Sequence, residues 1–398
     1  MKILITTDLY TVTTNGVVTS VRNLYHELTA EGHDVRILTL SETGHSRKEG
    51  PVYYIRSVSL ENVYPNVRMP TSFRHRLIRE LIQWKPDIIH SQCEFFTFQY
   101  ALRISRYTGA PIVHTYHTLY EQYSRYVIPG KRLGRQVVRV LSKNRLKSVQ
   151  QVIAPTAKVE HALRSYGLHN PISVVPSGID LSWHLEPMAP EARRSHRQAL
   201  GIQDDQTVLI NLGRLGFEKN LDELVRFAAS AIAAGEDLKF LIVGDGPARE
   251  SLQAQADKLG IRDRVIFTGM VDPTQVHHYY QLGDIFVSAS TSETQGLTYI
   301  EAAANGLPLL CRKDPCLQDV LHQSENGYTY TCEEEFLAAL RAMRLDPKWL
   351  ERAGNCSRRI AANYDMHRFG ATMSAIYSAI LKEKASVCTS KKEESSLV

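Results

Sequence analysis

The sequence predicts two doubly wound α/β domains facing a cleft, and three observations predict them. Short apolar runs alternate with segments of helical spacing in two successive series. A polar, proline-containing stretch at roughly residues 181–203 separates the series. Glycine-bearing turns follow several of the runs, as strand-to-helix turns in parallel sheets do. A chain of 398 residues is long enough for two full cores.

In chain order, residues 2–8 read as a first strand and 13–17 as a flexible turn. Residues 18–30 carry Val18, Val21, Leu24 and Leu28 at helical spacing, and a second strand follows at 35–39. The turn holds a single glycine, Gly16, so the dinucleotide fingerprint GxGxxG is missing. Further strands fall at 52–55, 87–90, 112–115, 152–154 and 172–175, which closes a first domain at 1–180. The second series has strands at 208–212, 239–243, 265–267, 285–287 and 307–310, within a domain at 204–364. Residues 365–384 form one last amphipathic helix, assigned to the first domain, and the polar residues 385–398 read as a disordered tail.

Bulk composition narrows the function classes. A hydrophobic content of 43% with 22% charged residues fits a globular protein rather than a disordered one. No apolar run approaches the roughly 18 residues that a membrane span needs, and Met1-Lys2-Ile3 opens directly into a strand, so neither a signal peptide nor an integral membrane protein is expected. Six cysteines (Cys93, Cys311, Cys316, Cys332, Cys356, Cys388) show no CxxC pairs, which suits reduced thiols in a cytoplasmic protein and speaks against zinc. Charge is uneven: residues 1–180 hold 23 Lys and Arg against 13 Asp and Glu, and the remainder 24 against 29. A basic first half points to an anionic surface.

The chemistry-bearing stretch runs from Ser288 to Pro308. A buried strand ends in a small-residue loop carrying Glu293, and a helix with Glu301 on it stops at Asn305-Gly306. Free N–H groups of Gly296, Leu297 and Thr298 at that helix start suit an anion, at the sheet edge where ligands of open α/β folds bind. Upstream, Asn211-Leu-Gly-Arg214 leads to Lys219-Asn220 before a helix, placing two cations at the same edge, where a pyrophosphate would sit. The turn Gly244-Asp-Gly-Pro247 offers a place beside which a flat base would lie.

Taken in order, Gly213-Arg214, Glu218-Lys219-Asn220, Val243-Gly-Asp-Gly-Pro247, Phe267-Thr-Gly269 and Glu293-x7-Glu301 with Gly306-Leu-Pro308 resemble the retaining, nucleotide-sugar-dependent glycosyltransferases of family four. The resemblance covers all but the last dozen or so residues and implies the two-domain GT-B fold. Gly16-Val-Val-Thr-Ser20 and the segment from His114 to Tyr123 are most similar to the bacterial branch that makes monoglucosyldiacylglycerol. It implies a UDP-sugar donor, glucose above all, and transfer to the 3-hydroxyl of diacylglycerol; the alternative is another sugar nucleotide or another lipid-linked or soluble acceptor. In that reading His117 contacts the sugar near the reacting carbon, Arg214 and Lys219 stabilise the departing phosphate, and Glu293 holds sugar hydroxyls. Gly16, Gly244, Val271, Gly296, Leu297, Thr298 and Glu301 form the nucleotide-sugar site, with Glu301 on the ribose. His114 is expected to be structural. Many relatives carry Ser-Phe after the first glutamate where this chain has Thr294-Gln295, which leaves a backbone phosphate cradle intact and changes the side chains beside the sugar hydroxyls. No Asp-x-Asp motif occurs, so no cofactor and no catalytic metal are expected.

Residues 122–159 contain no acidic side chain, and Arg132, Arg135, Arg139 and Lys143 surround an apolar face at helical spacing. That is the pattern of a helix lying on an anionic bilayer, as in a protein peripherally bound to the inner face of the cell membrane. A second basic patch falls at Arg68, Arg74, Arg76 and Arg79. A core-packed helix with a solvated basic face would read the same way. A nucleic-acid partner is not expected, because the segment lacks stacking aromatics at base spacing. Two other functions use parts of this constellation. A glycosidase needs two carboxylates flanking the scissile bond but no phosphate cradle, and a nucleotide-binding module needs the cradle without turnover.

Overall fold

The computed structural model describes residues 1–10, 15–60, 67–119, 121 and 131–396, with the backbone alone at 131–135, 185 and 387–396. The chain divides into two compact units, Met1–Gly178 with Met366–Val398, and Ile179–Asp365.

The first unit is built on strands β1 (Lys2–Thr6), β2 (Asp34–Ser41), β3 (Arg47–Glu49), β4 (Val52–Ser59), β5 (Arg68–Pro70), β6 (Ile88–Ser91), β7 (Ile112–Thr115), β8 (Gln151–Ala154) and β9 (Ile172–Val174). They lie in the order β3-β4-β2-β1-β6-β7-β8-β9, with β5 on β4. From β4 to β9 the pairing is parallel. The order reverses between β1 and β6, the switch point at which doubly wound sheets bind ligands. Alternate residues of each strand feed two cores. Ile3, Ile5, Ile37, Ile88 and Val113 pack with Val21, Leu24 and Leu28 of the helix Gly16–Ala30 and with Phe369, Met373 and Tyr377. Leu4, Leu38, Ile89 and Ile112 face Leu77, Leu81, Phe98 and Leu146. Burial on both faces is why these strands read as unbroken apolar runs.

The first helix begins at Gly16, two residues before the expected start, because the Asn15 side chain accepts from Val18 N–H at 2.9 Å and already closes its first turn. The last helix, Met366–Ser396, runs on through residues assigned from sequence to a disordered tail. The helix-forming residues Lys391-Lys-Glu-Glu394 extend an element that packing has already nucleated. Near its start, a Cβ on Gly370 would lie 2.4 Å from Glu27 Cβ, and His367 Nδ1 reaches Glu27 Oε2 at 2.6 Å.

The second unit holds β10 (Thr207–Leu212), β11 (Leu238–Val243), β12 (Val265–Gly269), β13 (Ile285–Ser288), β14 (Leu309–Arg312) and β15 (Gly327–Tyr330) in the order β12-β11-β10-β13-β14-β15, all parallel. Its switch point falls between β10 and β13. The polar stretch expected to be a linker at 181–203 is largely helical, with Ser182–Leu185 and Pro190–Ala199. Arg193 and Arg197 both donate to Asp284 Oδ1, at 2.7 and 2.8 Å, while Asp284 Oδ2 accepts from Val208 N–H. These bonds fasten the segment to the starts of β10 and β13. Composition alone hid this because the anchoring carboxylate lies far along the chain.

Candidate functional site

In the second unit the loops after β10 and β13 meet at the switch point. The loop after β10 is zipped to the turn after β11: Gly213 N–H bonds Val243 O, Leu215 N–H bonds Asp245 O, and Ala248 N–H bonds Leu215 O, each at 2.9 Å. Close backbone approach explains the glycines. At Gly244, φ is +128° and a Cβ would stand 2.0 Å from Gly213 O; at Gly246 it would meet Leu215 O at 2.6 Å. The turn at Phe217–Lys219 is then tied to the β13 loop by Asn220 Nδ2 on Ala289 O and Ser292 Oγ on Glu218 O.

Through this stitching Lys219 Nζ donates to Glu293 Oε1 at 2.5 Å, a charge-assisted bond between two half-buried groups. Arg214 is exposed and pairs with Glu218 in its own loop, so it is not on the Lys219–Glu293 pair. Gly296 takes the left-handed conformation at φ +74°, where a Cβ would strike the Tyr299 ring at 2.4 Å. The helix Leu297–Ala304 starts there with no side-chain cap, so the N–H groups of its first turn present their partial positive charge at the loop. Thr298 faces Gly213, its Cγ2 3.8 Å from the place of a Cβ. One helical turn past Leu297, Glu301 Oε2 accepts from Tyr280 O–H at 2.8 Å. Burial pushes the Glu301 carboxyl above its ordinary value and the Tyr280 bond pulls it back. Val271 is partly buried against the core that includes Ile300.

The other sequence candidates lie in the first unit. Gly16 is the exposed first residue of its helix. His117 follows β7, with Nε2 2.7 Å from Gln92 Oε1; burial, then the neighbouring His114, pushes its pKa down to about 3, so the ring is neutral. His114 is fully buried, 3.2 Å from Glu94 Oε1 and edge-on to Phe98 and Tyr116. Its environment is that of a core residue. Sequence reasoning passed over three neighbours. Asp8, just past β1, accepts from Phe96 N–H, Thr97 N–H and Thr97 O–H and so holds the start of the helix Phe96–Thr108. Its carboxyl is raised by burial and lowered by the Thr97 bonds. His90 bridges Tyr377 O–H and Thr115 Oγ1 at 2.6 and 2.8 Å. Gln92 touches His117. A polar residue at a strand's carboxyl end was the available signal for Asp8 and Gln92.

The basic helix is Lys131–Leu146. It buries Ser142 and Leu146 and leaves Val140 and Leu141 exposed. Arg139 donates to Glu121 at 2.5 Å and stands over the Tyr166 ring, so this cation is committed within the unit. Arg145 reaches the Glu94 and Phe95 carbonyls. Lys143 is half-buried. The side chains of Arg132 and Arg135, and all of Arg125, lie outside the described residues. Among the described residues no helix is long and apolar enough to cross a membrane.

Known proteins resemble this chain throughout. Family models described as Glycosyltransferase Family 4 and Glycosyl transferases group 1 match residues 14–183 and 192–360. An alpha-monoglucosyldiacylglycerol synthase of Streptococcus pneumoniae is 35% identical over 342 residues, covering 85% of this chain and 77% of the relative. Its namesake in Acholeplasma laidlawii is 29% identical over 362 residues, with 88% and 90% covered. Among solved structures, Anabaena HepE in complex with UDP and glucose superimposes with a TM-score of 0.76 at 17% identity, over 95% of this chain and 100% of that one.

Proposed function

We propose, from the premise that this chain belongs to glycosyltransferase family 4, that it moves glucose from UDP-glucose to the 3-hydroxyl of diacylglycerol, with retention, at a membrane surface. The observation that carries the donor half is the uncapped helix start at Gly296 beside the Lys219–Glu293 pair. An N-terminal dipole and a cation suit a departing diphosphate, and the carboxylate suits sugar hydroxyls. The HepE complex with UDP and glucose supports that chemistry for the fold, and the two synthases named for monoglucosyldiacylglycerol support the lipid acceptor.

Retaining transfer breaks the bond between the anomeric carbon and the phosphate oxygen while the acceptor oxygen attacks from the same face. The acceptor proton passes to the departing phosphate oxygen, so no protein base is required. Lys219, Arg214 and the first-turn N–H groups stabilise the charge that grows on phosphate, and neutral His117 acts as a hydrogen-bonding partner near the reacting carbon. Incubating the purified protein with diacylglycerol in anionic vesicles and a panel of sugar nucleotides tests the reading. Mass spectrometry should show a hexosyl-diacylglycerol from UDP-glucose, with an α-anomeric proton by NMR. A β-linked product, or transfer only to a soluble acceptor, would overturn it.

The carboxylates separate by role. Glu293→Gln should impair use of UDP-glucose while UDP still binds. Glu301→Ala should weaken UDP itself by about tenfold or more, since a hydrogen bond to a charged group contributes about 1.5–3 kcal/mol. Calorimetric titration of UDP into both variants decides this, and the reverse pattern would show the roles exchanged.

Membrane docking rests on Val140 and Leu141 standing exposed on a helix with Arg132, Arg135 and Lys143. Each cation near an anionic leaflet contributes about 1 kcal/mol, so changing these three to Gln should weaken binding to anionic vesicles roughly a hundredfold. Arg139 is left in place because it holds Glu121. Cosedimentation with vesicles, repeated in rising salt, reads the effect. Unchanged binding would make this helix an ordinary solvated face.

A further inference from the structure

We propose that Gln92 is the positioning residue that fixes the tautomer of His117, presenting Nδ1 as a hydrogen-bond acceptor. The proposal deepens the role read for His117 at the sugar and rests on that reading. Gln92 immediately follows β6 and His117 lies two residues past β7, on neighbouring strands that pair Ser91 with His114. The Gln92 backbone is locked, its N–H donating to Thr6 O at 2.8 Å, and the residue is only 2% exposed. Its side chain is therefore held where Oε1 stands 2.7 Å from His117 Nε2.

An amide oxygen can only accept. The ring nitrogen facing it must carry the proton, which leaves the lone pair on Nδ1. Among the described residues the other end of the amide, Nε2, is buried and meets no partner. The contact with the ring is thus the hydrogen bond that the Gln92 side chain makes, through Oε1. Burial lowers the basicity of His117, so the ring enters the site uncharged and with one defined acceptor. Among the described residues, the titratable groups that act on it include His114 from β7 and His90 from β6. Glu94, on the loop after β6, is paired with His114. An acceptor nitrogen suits a sugar or lipid hydroxyl, and it excludes His117 as a proton donor to the leaving group.

Histidine-selective 15N labelling of the full-length chain tests this in two variants, Gln92→Met and Gln92→Glu. In the native protein the His117 signals should report the Nε2–H tautomer from pH 5 to pH 8. Gln92→Met should give mixed tautomers. Gln92→Glu places a carboxylate against the ring and should raise its titration midpoint by about 1–3 units, with a matching new acid limb in the pH profile of turnover. Turnover of UDP-glucose by Gln92→Met should fall about tenfold at nearly constant KM, as when an outer partner of a working histidine is removed. Ring shifts and midpoints identical to the native protein in both variants would overturn the proposal. If the native protein turns over no sugar nucleotide, the proposed function fails while the NMR comparison still decides the tautomer.

Discussion

Lys219→Ala is expected to lower turnover of UDP-glucose by roughly a hundredfold or more, comparable to losing one preorganised donor to a developing oxyanion. Two physical losses coincide. The cation that would face the departing phosphate disappears, and Glu293 loses the ammonium 2.5 Å from its Oε1. A carboxylate without that counterion would repel the diphosphate in a site of reduced dielectric. Binding of UDP should therefore weaken along with kcat. The fold should survive, because Asn220 on Ala289 O and Ser292 on Glu218 O still tie the turn at Phe217–Lys219 to the β13 loop. Steady-state kinetics and a thermal melt on the same preparation separate the two effects. A double variant that adds Glu293→Gln should lose less than the sum of the single losses, since the pair acts as a unit. Near-native kinetics in a folded Lys219→Ala protein would remove the lysine from the phosphate site.

Gly244→Ala is expected to be among the most destabilising single changes in the second unit. Its φ of +128° is a backbone state that L residues rarely adopt, and the new methyl would stand 2.0 Å from Gly213 O. The obstacle is backbone on both sides: Gly244 N–H is bonded to Gly269 O at 3.0 Å and Gly213 N–H to Val243 O at 2.9 Å. Neither neighbour can rotate away as a side chain would. Strain of about 1–3 kcal/mol from the dihedral alone, with a backbone clash added, puts the cost above about 4 kcal/mol. Denaturant titration followed at the second unit would measure it. Gly235→Ala is the matched control, at φ +91° with nothing within 4 Å of the new carbon; it carries dihedral strain but no clash. Equal losses at the two positions would show that the packing between Gly213 and Gly244 contributes little.

Most of the architecture was legible because both sheets are buried on both faces, which turns parallel strands such as β1 and β11 into apolar runs. The strands that escaped are those whose pairing is not written in hydrophobicity. Arg47–Glu49 is a charged edge strand set antiparallel on β4. Gly327–Tyr330 begins on a glycine whose Cβ would lie 2.0 Å from Leu309 O, so close approach to β14 rather than apolar content defines it. Of the site, the residues carried by recognisable turns and helix starts were readable: Lys219, Glu293, Gly296 and Glu301. Asp8, His90 and Gln92 were not, since their meaning lies in partners contributed by other strands and by the C-terminal helix. The same holds for Arg139, which shares the spacing of a membrane-facing row but takes its partners, Glu121 and Tyr166, from elsewhere in the chain.

The return of the chain to the first unit at Met366 governs the order in which a growing polypeptide can fold. The second unit is one continuous stretch and has all its strands once Asp365 has emerged from the ribosome. The first unit begins earlier yet finishes last. Until residues near 380 are made, Ile3, Val21, Leu24 and Ile37 lack the cover of Phe369, Met373 and Tyr377, and His90 lacks the phenol it bonds. At about 5–20 residues per second, the amino-terminal half therefore spends many seconds of synthesis with one apolar face open, and such transiently exposed hydrophobic surface is aggregation-prone.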